Sequence, residues 1–271
     1  LDDLQSYFGT MLSSPVRMHV AGAVSQARAE AALGEIASVL PTEKVSVQQT
    51  EAPAQDDQGK VFFIDVPGSK QSVLYIGQLT VATPHPDFLK IEYANEKLGG
   101  GISGDLAQVL RIEKGYTYGA YSYIQNGLVA QPIIAATSVR ANATQASLDV
   151  IKSMLEAYGP EFDDAAVELT RQKLVKQDTL AYESLGAKRG MLREISKFEK
   201  SLSFVEDEQQ LLLNMPLEEY KRVIAEYLDA GDMAWVVVGD GETQLRPVTD
   251  FAGGTVTVLD IHGDPVVDDA E

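Results

Sequence analysis

The stretch NEKLGGGISGDLAQVLRIEKGYTYGAYS, residues 95–122, decides the fold of this chain. Within it, GGGISG from Gly99 to Gly104 matches the dinucleotide-binding pattern G-x-G-x-x-G. A dinucleotide loop follows a strand, opens a helix and has an acidic residue about 20 positions later. Here residues 88–98 have the apolar spacing of a helix, and residues 121–125 contain no Asp or Glu. The pattern therefore does not indicate a dinucleotide site.

The same glycines fit the start of the phosphate-binding pattern G-x-x-x-x-G-K-[ST]. The next residues are Asp105 and Leu106, so a negative charge stands where the phosphate-binding Lys belongs. What remains is a flexible glycine turn, followed by a predicted helix at residues 105–113 and a predicted strand at residues 116–123. The plainest role of the glycines is to let two helices pack closely.

Size and composition restrict the class of protein. The 271 residues are 45% hydrophobic and 23% charged, which is typical of a globular chain with a buried core. Asp and Glu number 40 against 22 Lys and Arg, so nucleic acid is not an expected partner. The longest apolar runs, such as residues 233–238, are far shorter than the roughly 18 residues of a membrane span. The absence of cysteine excludes disulfides, thiolate catalysis and cysteine-ligated zinc.

A helix followed by a strand is predicted twice in the chain. Residues 1–24 resemble residues 217–241 when one residue is inserted between them. The matched pairs include Leu1 with Leu217, Leu12 with Leu228, and Gly22 with Gly239. Each copy has an acidic helix start, an amphipathic helix, a short turn and an apolar strand that ends in Gly. If the match is not chance, it predicts a repeat of roughly 216 residues, so the chain holds the tail of one copy and the whole of a second.

The remaining pattern predicts an α+β fold. Residues 45–60 are polar, lack periodicity and contain Pro53, which indicates a linker. Further strands are predicted at residues 61–66, 72–77, 117–124 and 133–139 and after Gly254, and helices at residues 86–98 and 144–158 and within residues 162–213. Strands and helices come in groups and do not alternate, which favours an antiparallel or mixed sheet backed by helices.

The combined motifs resemble the insulinase, pitrilysin and mitochondrial-processing-peptidase family of zinc peptidases. The second half of these proteins carries N-x-x-L-G-G-G-x-x-S-x-L and then L-R-x-x-x-G-x-x-Y. The matching residues here are Asn95, Leu98, Gly99, Gly100, Gly101 and Leu106, then Leu110, Arg111, Gly115 and Tyr118. Similar also are VPGSKQSVLYIG at residues 66–77, His-Pro-Asp at residues 85–87 and VVVGD at residues 236–240. Asp105 departs from the family pattern, so contacts that differ from the family's are expected at that helix start.

The resemblance covers about residues 60–245 and implies a protein built from tandem halves. Together with the repeat, it predicts four segments. They are residues 1–44 as the tail of a preceding homologous half, residues 45–60 as a linker, residues 61–245 as an inactive peptidase half, and residues 246–271 as a C-terminal extension.

The family's metal site is H-x-x-E-H, in which two His bind zinc and the Glu is the general base. The three histidines of this chain, His19, His85 and His262, are never four residues apart. No zinc is therefore expected in this chain. The resemblance is to the non-catalytic half, so zinc is expected in the partner half and the chain alone is expected to be inactive.

The resemblance implies that Tyr118 and Arg111 complete an active site that lies on the other half. Tyr118 would donate to the developing oxyanion, and Arg111 would hold the substrate backbone. The substrate-binding residues are expected to include Gly99, Gly100, Gly101 and Ser103. The plain alternative is that Arg111 is a solvated helix residue and Tyr118 one of 11 ordinary tyrosines.

Two functions stay open on the sequence. The first is the substrate-binding, non-zinc half of a zinc metalloendopeptidase, whose partners are a zinc-bearing homologous half or subunit and a peptide substrate. The second is a non-catalytic scaffold or assembly subunit of the same fold. The excess of acidic residues favours basic or neutral peptides. Because the chain starts at Leu1 without Met or a leader, an upstream piece is expected to have been removed, and the resemblance favours an exported bacterial protein.

Overall fold

The structure is a computed structural model that describes residues 1–13, 16–39, 54, 56–181 and 183–266. It divides the chain into two compact units. Unit 1 comprises Leu1–Glu51 and Leu174–Asp207, and unit 2 comprises Ala52–Lys173 and Glu208–Glu271. Most of the predicted linker at residues 45–60 lies outside the described residues.

Within the described ranges the chain forms ten α-helices and six strands. The helices are α1 Asp2–Leu12, α2 Gln26–Val39, α3 Phe88–Gly99, α4 Asp105–Ala107, α5 Thr144–Glu161, α6 Asp164–Ala181, α7 Leu185–Phe198, α8 Phe204–Asn214, α9 Leu217–Tyr227 and α10 Gly241–Phe251. The strands are β1 Val61–Asp65, β2 Gln71–Leu79, β3 Thr117–Ile124, β4 Pro132–Arg140, β5 Ala234–Gly239 and β6 Thr257–Leu259. None of the described helices is both long enough and apolar enough to cross a bilayer.

The strands form one mixed sheet in unit 2, in the order β3-β4-β2-β5-β1-β6. From β3 to β5 neighbouring strands are antiparallel, whereas β1 runs parallel to both β5 and β6. The predicted α+β class, with an antiparallel or mixed sheet backed by helices, is confirmed. In this order β3 and β6 are the edge strands of the sheet.

Side chains alternate between the two faces of the sheet. In β2, Ser72, Leu74 and Ile76 are buried, while Val73 is half-buried and Tyr75 is exposed. The helices α3, α5 and α9 each contribute a row of buried apolar residues to the core. Helices therefore cover one face of the sheet, and the other face is only partly covered.

Ion pairs fix the N-terminal end of α3 against α9. Lys90 Nζ lies 3.0 Å from Asp87 Oδ1 and 2.6 Å from Glu219 Oε1. Arg222 Nη2 lies 2.7 Å from Asp87 Oδ1 and 2.8 Å from Glu219 Oε1. Hydrogen bonds from Arg222 and Lys90 lower the pKa of Glu219 to about 2, so its carboxylate stays charged at neutral pH. The start of α3 is thereby held by charge, and its other end leads into the glycine turn.

The predicted strand of the first helix-strand copy is wrong. Residues 16–24 form no strand, although the helix before them, α1, is present. A strand needs a neighbouring strand for its backbone hydrogen bonds, and the described residues of unit 1 contain none. The second copy is confirmed as α9 followed by β5, which lies between β2 and β1.

One helix is longer than the sequence predicts, and another is not predicted at all. Helix α5 does not stop before Gly159 but continues through Pro160 to its end. Helix α10 is missing from the prediction, because Pro247 interrupts its apolar pattern. Since α10 spans residue 245 and β6 pairs with β1, part of the predicted C-terminal extension contributes to the fold of unit 2.

Candidate functional site

Helix α3 ends directly against the edge strand β3. A Cβ atom on Gly99 would lie 2.0 Å from Ser122 Oγ and 2.1 Å from the Ser122 backbone nitrogen, so only glycine fits there. Asn95 Nδ2 donates to the Ser122 carbonyl at 2.9 Å, and the Ser122 hydroxyl donates to Asn95 Oδ1. Gly99 therefore allows a helix to pack closely against a strand, and not two helices against each other as the sequence predicted.

The other predicted substrate-binding residues lie in the turn after α3. Gly100 packs against Glu96, so a side chain at this position would clash with that carboxylate. Gly101 has φ +77°, a conformation that glycine adopts without strain, and both it and Ser103 are exposed. None of Gly99, Gly100, Gly101 and Ser103 lines the cleft that holds Arg111 and Tyr118. Their part in substrate binding stays a prediction.

Arg111 lies in a short π-helix. The helix that begins with α4 changes at Gln108–Glu113 to the wider π form, here called the π segment. The Lys114 N–H donates to the Val109 carbonyl at 2.9 Å, five residues back. Gly115, with φ +63°, then ends the helix. Because the extra residue changes the direction of the side chains around it, π segments are frequent at functional sites.

Tyr118 lies on a β-bulge of the edge strand. The pairs Thr117–Val139 and Ala120–Thr137 leave two residues of β3 opposite one residue of β4. Such a bulge bends the strand and redirects the side chains in it. Tyr118 is one of the two β3 residues that lie opposite a single residue of β4, and it is 90% exposed. The bulge thus points a large aromatic side chain away from the core.

Threonine side chains pin this bulge. Thr117 Oγ1 lies 2.7 Å from the Ser138 carbonyl oxygen and 2.9 Å from the Gly119 carbonyl oxygen. Thr137 Oγ1 donates to the same Gly119 carbonyl at 2.9 Å. Backbone groups that lose their ladder partner at the bulge are therefore satisfied by hydroxyl groups. These hydrogen bonds fix the backbone on both sides of Tyr118.

Arg111 and Tyr118 line the same cleft of unit 2, which has a volume of about 380 Å³. The other lining residues are Gln71, Gly115, Tyr116, Thr117, Ser138 and Arg140. One side chain reaches the cleft from the π segment and the other from the bulge. The structure therefore brings together the two residues that the sequence predicted as a pair.

The cleft is basic although the chain has a net charge of −18. Its lining includes Arg111 and Arg140 and contains neither Asp nor Glu. The guanidinium groups of Arg111 and Arg140 have no hydrogen-bond or ion-pair partner among the described residues, and the Tyr118 hydroxyl has none either. These donors are available for an oxygen atom of a bound molecule.

Sequence reasoning missed Arg140, Gln71 and Ser138 as cleft residues. Arg140 ends β4 and pairs in register with Gln71 of β2, while Ser138 donates through Oγ to Gln71 Oε1 at 3.1 Å. Gln71 lies 67 residues before Ser138 in the chain and still further before Arg140. Only the pairing of β2 with β4 brings them together, and no local motif carries that information.

The described residues do not fit a zinc ion. They contain no group of three or more His, Cys, Asp or Glu side chains that could hold a metal. His85 has a structural contact, since its Nδ1 accepts the Asp87 N–H at 3.1 Å. His19 lies in unit 1 and His262 in an exposed turn of unit 2. The lining of the cleft offers hydrogen-bond donors and contains no His, Cys, Asp or Glu.

Unit 2 is thus an α+β domain with a basic cleft beside the edge strand β3 and without a group of metal-binding side chains in its described part. The family model described as the peptidase M16 inactive domain matches residues 1–174, which is more than half of the chain. The chain belongs to this family. The resemblance predicted from the motifs, to the non-catalytic half of insulinase-like peptidases, is confirmed.

Solved structures share the fold at low sequence identity. A peptidase M16 inactive domain from Pseudomonas fluorescens is 23% identical, with a TM-score of 0.71, over 80% of this chain and 52% of that one. A protease from Helicobacter pylori is 18% identical, with a TM-score of 0.68, over 80% and 54%. A chain of complex III2 from Candida albicans is 11% identical, with a TM-score of 0.58, over 84% and 56%.

This chain spans about half the length of these three structures. Curated proteins gave no match.

Proposed function

We propose that this chain is the substrate-binding, non-zinc half of a zinc-dependent metalloendopeptidase. The observation that carries the function is the shared cleft, which both Arg111 and Tyr118 line and in which their donors have no partner among the described residues. Membership in the inactive-domain family supports a role in which this half binds the substrate while the zinc-bearing half cleaves the peptide bond. The proposal also places the zinc ion and the general base on a homologous partner half.

In the proposed mechanism, the two side chains act on carbonyl oxygens of the substrate. Hydrolysis of a peptide bond builds negative charge on the carbonyl oxygen of that bond. The phenol O–H of Tyr118 donates to this oxygen, and the Arg111 guanidinium holds a neighbouring carbonyl of the peptide. Because neither group has a partner among the described residues, no hydrogen bond to these residues has to break when substrate binds.

The glycine turn has a supporting role in this proposal. Gly99 lets α3 contact β3, and the short helix after the turn leads into the π segment that carries Arg111. Gly100 allows the close contact with Glu96. Of the four residues predicted to bind substrate, Gly101 and Ser103 are exposed and can contact a peptide directly. A side chain at Gly99 would therefore act on substrate binding indirectly, through the position of Arg111.

The proposed partner is a homologous half that precedes this one. Helix α1 exposes Leu4, Tyr7 and Phe8, and the segment after it exposes Met18 and Val20. These residues recur at the spacing of buried positions in α9 and β5. We propose that residues 1–44 complete the core of that preceding half, and that residues 61–245 form the inactive half.

The test is hydrolysis of a peptide library by the complete protein, in which this chain is joined or bound to the zinc-bearing half. We expect Tyr118→Phe to lower kcat by about 100-fold with little change in KM, the usual effect of removing one oxyanion donor. Tyr121→Phe is the matched control, since Tyr121 lies on the same strand, is also exposed and does not line the cleft. Unchanged turnover in Tyr118→Phe would remove this residue from the mechanism.

The second candidate function is a non-catalytic scaffold or assembly subunit. It is favoured by the fold that this chain shares with a chain of complex III2 from Candida albicans. It predicts that the complete protein hydrolyses no peptide of the library and that Tyr118→Phe leaves assembly unchanged.

A further inference from the structure

The cleft contains hydrogen-bond donors beyond those that a single carbonyl group needs. Arg140 stands at the end of β4, and its backbone N–H donates to the Tyr116 carbonyl at 3.3 Å, which ties it to the segment between Arg111 and Tyr118. Its guanidinium has no hydrogen-bond or ion-pair partner in the part of the chain that the structure describes. The structure therefore places a second, unused cation beside the proposed catalytic pair.

Gln71 adds a neutral donor to the same wall. It is the register partner of Arg140 across the β2–β4 ladder. Its Oε1 accepts a hydrogen bond from the Ser138 hydroxyl at 3.1 Å, and this contact orients the amide group. The Nε2 group remains as a donor, for which the described residues provide no acceptor. Arg140 and Gln71 thus form a pair of donors on adjacent strands.

We infer that Arg140 and Gln71 form a subsite for a carboxylate group of the peptide substrate. The subsite belongs to the cleft of the proposed function and depends on that function. Guanidinium and carboxylate groups match in charge and in geometry, and the lining contains no acidic side chain that would compete. The substrate class is a peptide with an acidic side chain, or a free terminal carboxylate, next to the residue held by Arg111.

This inference reverses the preference expected from overall charge. The sequence as a whole favours basic or neutral peptides, since acidic residues outnumber basic ones by 40 to 22. Charges separated by more than about 8 Å are largely screened at physiological salt. The charged side chains that line the cleft are the two guanidinium groups of Arg111 and Arg140, so the local field favours an anionic group there.

The experiment compares matched peptides with the complete protein. Starting from any peptide that the enzyme cleaves, Glu and then Gln are placed at each position within three residues of the cleaved bond, and each peptide is made with a free and with an amidated C-terminus. We expect one Glu peptide, or the free-acid peptides, to be cleaved with a kcat/KM about tenfold above the neutral partner, the scale of one charge-assisted hydrogen bond. The Glu arm reports a side-chain carboxylate and the free-acid arm a terminal one.

The variant Arg140→Gln is expected to abolish this tenfold ratio between the acidic and the neutral peptide. Arg189→Gln removes the same charge from an exposed position of unit 1 and should keep the ratio. Arg140→Lys should retain part of it, because the charge remains but the two-pronged geometry is lost.

Equal cleavage of acidic and neutral peptides by the wild type, or an unchanged ratio in Arg140→Gln, would overturn the carboxylate subsite. Either result leaves the proposed function intact as long as Tyr118→Phe still lowers turnover on all peptides. If Tyr118→Phe has no effect on any peptide, the proposed function fails, and the subsite fails with it.

Discussion

The two copies of the helix-strand unit have the same pattern and opposite environments. Helix α9 and strand β5 form part of the core of unit 2, while α1 and residues 16–24 lie in unit 1. Equivalent apolar positions differ strongly in exposure. Phe8 is 54% exposed and Ile224 2%, and Val20 is 46% exposed and Val237 0%. The first copy therefore has the residues of a core element without a core around them in the described structure.

The difference shows what an apolar pattern can and cannot specify. The helix forms in both copies, because its hydrogen bonds are satisfied within the segment. The strand forms only in the second copy, where β2 and β1 supply partners on both sides. Local sequence thus sets the helix, but the strand depends on neighbouring strands.

The largest expected effect is on the stability of this chain by itself. We expect Ile224→Ala to lower the free energy of unfolding by about 3 kcal/mol, because it leaves a cavity in a packed core. Phe8→Ala should change it by less than about 0.5 kcal/mol, because the side chain is already exposed. Urea denaturation checks this, with circular dichroism for both units and the fluorescence of Trp235, the single Trp, for unit 2. A similar cost for Phe8→Ala would mean that the first copy has a buried core of its own.

The sequence predicts the regular part of the fold and the centre of the site. Alternation in β2 and helical spacing in α3 are local signals, and the motif pairs Arg111 with Tyr118 directly. The π segment and the bulge are not predictable in this way, because each depends on how one extra residue fits against its neighbours. The role of Arg140 is not predictable either, because its place in the cleft follows from the pairing of β2 with β4.

The second prediction concerns Phe8→Ala in the complete protein. If the preceding homologous half covers α1, Phe8→Ala should now lower the free energy of unfolding by about 2 kcal/mol, although it has almost no effect in this chain alone. The same half should supply a strand partner, so the amides of residues 16–24 should exchange with solvent at least about tenfold more slowly in the complete protein.

The control for this effect is Leu202→Ala. Leu202 is exposed and also lies in unit 1, but it is outside the repeated unit, so its substitution should be neutral with or without the other half. Equal behaviour of Phe8→Ala and Leu202→Ala in the complete protein would contradict the docking of the first copy into a preceding half.

The smallest effect concerns the acidic start of each helix. Glu219 in α9 pairs with Lys90 and Arg222, which lowers its pKa from 4.5 to about 2. A lowered pKa in the folded state means that the carboxylate stabilises the fold above pH 4.5, and that this contribution is lost as the pH falls toward 2.

Glu219→Gln should therefore cost about 1 to 2 kcal/mol at pH 7, a value reduced from the full pKa shift because the side chain is partly exposed. The difference from wild type should shrink when unfolding is measured at pH 3. Asp3, the matched residue of α1, is exposed, so Asp3→Asn should change stability by less than about 0.5 kcal/mol at either pH. A difference for Glu219→Gln that stays constant with pH would show that packing, not charge, separates the two helix starts.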